Sequence, residues 1–200
     1  MNSFKDILKY LSVNDCKLGK IINLINPQKK INNADNFTSL VKIIIGQQLS
    51  GTAAKTIVNR LNKHLDEVNY NPLKIITMSN EDLRSCGISN SKVGYIKGFA
   101  QTFYKDPYYF KNLKNIEEKE ILNELCKIKG VGIWTASIFA MGSLGYKNIF
   151  PYGDVSLNKA IKNLYGDQFD QETIISKWSP YKSYACRVLW QWVDKGMPEA

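Results

Sequence analysis

Imidazole and thiol metal ligands are scarce in this 200-residue chain, which has one histidine and four cysteines. The cysteines (Cys16, Cys86, Cys126, Cys186) lie far apart, with no C-x-x-C pair and no histidine beside them. That pattern argues against a zinc site and against a cysteine-held iron–sulfur cluster. His64, in NRLNKHLDE, falls on the polar side of a helical stretch and reads as a surface residue. No apolar run reaches the length of a membrane span. The start, MNSFKDILKYLSVND, carries polar and charged groups throughout, unlike a signal peptide. Strand-like alternation is almost missing, and the nearest case, KIITM, is too short to seed a sheet. Low-complexity tracts, internal repeats and long linkers are also missing. The expectation is a soluble cytoplasmic protein with free thiols and no membrane partner.

What is present is helical periodicity and positive charge. In NFTSLVKIIIGQQLS, the residues Phe37, Leu40, Val41 and Ile44 fall at i, i+3, i+4 and i+7. SGTAAKTIVNRLNKHL follows with Ser50 as its cap, and NSKVGYIKGFAQTF repeats the stripe through Val93, Ile96, Ala100 and Phe103. SPYKSYACRVLWQW places Ser179 at a cap and Pro180 at the first helical position. The chain is therefore expected to be all-α, with roughly eight to ten helices in one compact unit or in two closely packed lobes. With 44% hydrophobic residues it has enough apolar material for a core, and the net charge of +9 makes a polyanion a plausible partner.

One short stretch invites a chemical reading. In LCKIKGVGIWTA a helix ends near Ile128, the chain turns through Lys129-Gly130-Val131-Gly132, and a second helix begins at about Ile133. The glycines allow a very short turn, and Val131 can plug it against the core. Taken alone this is a helical hairpin. The same turn has the makings of a phosphate seat, because amides at a helix N-terminus point at an anion without reading base sequence. Lys127, Lys129 and the Thr135 hydroxyl would add to such a seat. Some twenty residues on, Asp154 follows Pro151-Tyr152-Gly153 and precedes an amphipathic helix, where capping is a sufficient role for it.

Together these segments resemble the helix-hairpin-helix base-excision DNA glycosylases. The segment L-x-x-I-K-G-V-G-I-W-T-A followed by FPYGDVSLNKAI is most similar to the alkylbase group, the 3-methyladenine DNA glycosylase II type. LVKIIIGQQLSGTAAKTIVNRL, GISNSKVGYIKGFA and WSPYKSYACRVLWQW agree in the family's order, so the likeness runs from about Phe37 to Val193. It implies one glycosylase unit over residues 1–200 with the helix-hairpin-helix at about 117–144. About thirty-six residues precede the match, too few for the sheet domain that some relatives carry, and they are expected to be helical.

The resemblance also implies roles. Asp154 becomes the catalytic carboxylate. Trp134, Trp190, Ile138 and Gln47 become lining residues for an extruded base. Gln48, or the neighbouring Leu49, enters the duplex where that base was. Lys127, Lys129, Gly130, Gly132 and Thr135 hold the DNA backbone, and the carbonyls of Cys126, Ile128 and Val131 hold a structural sodium or potassium ion. No cofactor is required. Trp134 stands where the bifunctional relatives have a nucleophilic lysine, so hydrolysis without strand cleavage is expected.

Three positions depart from the family pattern: Lys129 where proline is common, Ser156 for a frequent glycine, and aliphatic Ile138 where some relatives have an aromatic. Trp178 and Trp192 are expected in the core. The partner implied is double-stranded DNA with damaged bases, bound by a monomer wherever the cell keeps its DNA. Two other readings share these features: a non-catalytic hairpin protein for bent or damaged duplexes, and a glycosylase for deaminated or oxidised bases.

Overall fold

The computed structural model describes residues 3–29, 33–113 and 115–199. The chain divides into two compact units, one made of Met1–Ile31 and Gly145–Ala200, the other of Asn32–Leu144. It begins in the first unit with α1 (Phe4–Asn14) and α2 (Cys16–Ile25). The second unit holds α3 (Asn36–Gly46), α4 (Gly51–Leu65), α5 (Pro72–Thr77), α6 (Asn80–Ser85), α7 (Asn90–Lys105), α8 (Tyr109–Leu113), α9 (Glu118–Cys126) and α10 (Ile133–Phe139). A π-helical segment, Ala140–Leu144, continues α10. The chain then returns to the first unit for α11 (Val155–Tyr165), α12 (Gln171–Ser176) and α13 (Lys182–Asp194).

Every regular element among the described residues is a helix, as the periodicity predicts. The thirteen α-helices among the described residues exceed the expected eight to ten because five of them span only five to seven residues, too few turns to show a stripe. The strand-like KIITM lies mostly in one of these, α5, whose N-terminus is marked by the Asn71 cap and by Pro72 at the first position. None of the helices is long and apolar enough to cross a membrane.

In the second unit, α3 is the central element. Phe37, Leu40, Val41 and Ile44 are fully buried on it, the four positions picked out by their spacing. Phe37 stacks between Phe99 and Phe103 of α7, with ring centroids 5.4 Å away in each case. Phe110 of α8 meets Phe103 at 5.1 Å and Phe139 of α10 at 5.2 Å. This aromatic cluster ties α10 to the same core as α3 and α7. Offset and edge contacts of this kind add about 0.5–1.5 kcal/mol per pair beyond the area buried.

In the first unit, α11 and α13 pack side by side, with α2 against both. Asp15 joins three elements. It caps α2 through the Leu18 amide at 3.1 Å and accepts the Trp178 indole N–H at 2.8 Å and the Tyr165 hydroxyl. Burial and that carboxylate push the Tyr165 hydroxyl far above its usual range, so Tyr165 keeps the proton that it donates to Asp15. Trp178 is fully buried and lies 6.2 Å from Phe150, and Trp192 is buried as expected. The last helix starts later than the Ser-Pro signal indicates. Residues 177–180 form turns, the Ser179–Pro180 peptide is cis, and Tyr181 precedes the first residue of α13, Lys182.

Candidate active site

The segment before α11 is held at its root by α13. The Ser183 hydroxyl accepts the Ile149 N–H and donates to the Ile149 carbonyl, both at 3.1 Å. The Ser183 amide donates to the carbonyl of Lys147 at 2.9 Å. From that clip the chain runs through buried Phe150 and Pro151 and turns at Gly153, whose φ of +80° is in the left-handed region that glycine tolerates. The Asp154 N–H closes the turn on the Pro151 carbonyl at 3.1 Å.

Asp154 then caps α11. Its Oδ1 accepts the Leu157 N–H at 2.9 Å, the role that sequence position alone gives it. The same oxygen accepts the Trp190 indole N–H at 3.2 Å. Trp190 lies on α13 two turns beyond Ser183, so one helix holds both ends of the segment that carries the acid. Asp154 retains 8% of its surface. One turn before Trp190, the thiol of Cys186 is raised well above its usual range, by burial first and by the charge of Asp154 second. That thiol stays protonated beside the carboxylate. Trp190 is half-buried, and its N–H is committed to Asp154.

The second group of candidate residues surrounds the turn between α9 and α10. The Ile128 N–H donates to Leu125 at 3.1 Å and the Val131 N–H donates to Ile128 at 3.0 Å, which closes two tight turns in succession. Val131 is 5% exposed and plugs the hairpin. Gly130 has φ +88°, and a Cβ built on it would stand 2.4 Å from the ring of Tyr95 on α7. Gly132 is exposed, caps α10 in extended conformation and has open space around it. The amides of the first turn of α10 therefore start at an exposed backbone, as a phosphate seat requires.

Lys127 and Lys129 are exposed beside this turn, Lys127 in an ion pair with Glu124 at 2.5 Å. Thr135 does not fit the expected backbone contact. It is 3% exposed, and its hydroxyl accepts the Gln47 side-chain amide at 2.9 Å, because its side of α10 faces the end of α3. The same Gln47 amide donates to the Gly130 carbonyl at 2.9 Å. Gln47, expected among the lining residues, is thus a strut between its own loop and the hairpin.

Gln48 and Leu49 follow, both exposed, with Gln48 in the left-handed region at φ +57°. Trp134 and Ile138, one turn apart on α10, are half-buried. Two residues unmarked in the sequence complete the arrangement: Tyr95, against Gly130, and Lys92, which binds the carbonyls of Ile45 and Gln47. A lysine on an otherwise amphipathic helix carries no signal that separates it from a solvated one.

Comparison with known proteins gives a concordant result. Residues 41–178 match the model of the HhH-GPD superfamily base excision DNA repair protein. The chain is 28% identical over 169 residues to the putative DNA-3-methyladenine glycosylase YfjP of Bacillus subtilis, covering 79% of this chain and 59% of that protein. It is 25% identical over 200 residues to the alkylbase DNA glycosidase-like protein mag2 of Schizosaccharomyces pombe, covering 95% of this chain and 94% of the relative. The crystal structure of a DNA-3-methyladenine glycosidase from Bacillus halodurans superposes with a TM-score of 0.77 at 31% identity, over 93% of this chain and 88% of that one.

The two hairpin glycines differ in what they can tolerate. Gly130→Ala forces a side chain into the left-handed region and against Tyr95, and should cost about 2–4 kcal/mol. Gly132→Ala meets nothing and should cost less than about 1 kcal/mol. Urea denaturation of the two variants reads this directly, and equal midpoints would contradict the hairpin geometry.

Proposed function

The chain belongs to the HhH-GPD superfamily of base excision DNA repair proteins, and from that premise we propose that it is a monofunctional DNA glycosylase for alkylated bases such as 3-methyladenine and 7-methylguanine. It hydrolyses the N-glycosidic bond of an extruded nucleotide in duplex DNA and leaves an abasic site. The observation that carries this reading is the Asp154 carboxylate, set at the start of α11 by the Leu157 and Trp190 N–H groups. The B. halodurans glycosidase, 31% identical over nearly the whole chain, supports the substrate class.

Cleavage of the glycosidic bond builds positive charge on the deoxyribose. A carboxylate fixed in place before the reaction stabilises that charge without reorganising, and it can orient the attacking water. Alkylated purines such as these are already cationic and leave readily, so the second, acid-donating carboxylate of ordinary glycosidases is dispensable. Trp134 and Trp190 offer electron-rich ring faces to a cationic purine, an attraction of about 0.5–2 kcal/mol. With Ile138 and Gln47 they are the residues assigned to the extruded base, which is extruded at lower cost when it is damaged and stacks poorly. The α10 helix, Ile133–Phe139, contains no lysine to attack the sugar.

Backbone amides at Gly130 and Gly132, with Lys127 and Lys129, hold the phosphates, and Gln48 with Leu49 fills the gap left in the duplex. One extruded base needs one active site, so a monomer suffices. We also assign a monovalent cation to the carbonyls of Cys126, Ile128 and Val131. The Ile128 oxygen accepts the Val131 N–H and keeps a second lone pair for such an ion.

Asp154→Asn keeps the acceptor oxygen for Leu157 and Trp190 and removes the charge. Release of methylated purines from alkylated duplex should fall by roughly 10²–10⁴-fold, with affinity for undamaged duplex retained. Excision within about tenfold of the parent protein would overturn the assignment. For the cation, exchange of sodium and potassium for tetramethylammonium at constant ionic strength should weaken duplex binding, and unchanged affinity would remove the ion from the account.

A further inference from the structure

The end of α3 has an unusual arrangement of hydrogen bonds. A helix leaves the carbonyls of its last turn without intrahelical donors. Here the Ile44 oxygen receives the Gln47 N–H at 3.3 Å, and the Gly46 oxygen receives the Leu49 N–H at 3.2 Å. The Ile45 and Gln47 oxygens are both taken by the Lys92 ammonium, at 2.9 and 2.8 Å. Lys92 comes from the first turn of α7, 45 residues along the chain from Gln47. Its charge also complements the negative end of the α3 dipole. The site is half-buried, and loss of hydration lowers the Lys92 pKa.

Three contacts then share one origin. Lys92 holds the Gln47 main chain, and the Gln47 side chain holds Gly130 and Thr135. Tyr95, one turn beyond Lys92 on α7, packs against the same Gly130. Gln48 lies between these restraints at φ +57°, a conformation that costs a non-glycine residue about 1–2 kcal/mol. Such a residue keeps that conformation when its surroundings over-determine it.

We propose that Lys92 is a positioning residue for base extrusion: its ammonium fixes the projecting Gln48–Leu49 loop relative to the hairpin turn, so that the loop enters the duplex at a set distance from the gripped phosphate. This rests on the glycosylase reading above, and it adds a residue that touches neither base nor backbone of the DNA. The loop without Lys92 still carries the same side chains but loses its defined direction. The effect therefore falls on insertion and on the rate of excision, and duplex affinity is spared.

The test uses the full chain with Lys92→Met, which keeps the aliphatic stem and removes the donors, and Lys92→Arg, which restores a cation with donors. The probe is a duplex with 2-aminopurine beside a tetrahydrofuran abasic site. Its fluorescence at saturating protein reports unstacking by folded, bound molecules only. Lys92→Met should lose more than about half of the fluorescence change and about tenfold in the single-turnover release of 7-methylguanine, while affinity for undamaged duplex stays within about twofold. Lys92→Arg should recover most of both losses.

A Lys92→Met protein with the parent's fluorescence change and rate overturns the proposal, as does failure of Lys92→Arg to recover either. If Lys92→Met does not fold, Lys92→Gln, with an amide donor on a shorter stem, is read against the same expectations. A parent protein that changes the fluorescence but releases no base defeats the glycosylase reading and leaves the positioning claim to be decided by the fluorescence of the variants. A parent protein that leaves the fluorescence unchanged shows that the loop does not enter DNA, and the proposal falls.

Discussion

Oδ1 of Asp154 accepts one hydrogen bond from the first turn of α11 and a second from the indole of Trp190, and these two bonds fix where the charge of the side chain sits. An acid that retains 8% of its surface costs several kcal/mol in lost hydration unless donors replace the water. The amide of Leu157 comes with the helix. The indole comes from α13, which also holds the root of the segment through Ser183. Phe150, between the two, rests near the Trp178 that Asp15 anchors. A short irregular segment is thereby tied at both ends to one helix, an arrangement suited to stabilisation by a preset charge.

The other unit meets a similar requirement with different groups. Its two loops, at 47–49 and 127–132, are short, and packing holds them only in part, through Val131. Polar side chains supply the remaining restraint. Gln47 reaches across to Gly130 and Thr135, and Lys92 binds the carbonyls at the end of α3. Beneath them the phenylalanine cluster of α3, α7, α8 and α10 supplies the rigid base. The division of labour is consistent throughout. Apolar burial fixes the helices, and a few satisfied polar contacts aim the loops.

The parts of this arrangement legible in the sequence are those with a local signature. Phe37, Leu40, Val41 and Ile44 declare the buried face of α3 by spacing, Ser50 declares the start of α4, and the two glycines around Val131 declare the hairpin. Asp154 reads locally as a cap and is one; only its company gives it chemistry. What escapes is long-range pairing. Gln47 and Gly130 are 83 residues apart and Trp190 and Asp154 are 36 apart, and no periodicity connects them. Thr135 is misjudged for the same reason, since its hydroxyl is buried by a residue from another helix. The late start of α13 shows the reverse error, in which a strong local signal at Ser179-Pro180 yields to a turn that tertiary structure imposes.

The central claim is that one fixed carboxylate, with no lysine on α10, severs the bond between an alkylated base and its sugar and nothing else. Incubating the protein with methylated duplex and analysing both products tests it directly, the filtrate by mass spectrometry and the strands by denaturing electrophoresis before and after hot alkali. The account predicts free methylated purines and strands that stay whole until alkali is added. Strands broken before alkali, or a filtrate without methylated purines, would contradict it.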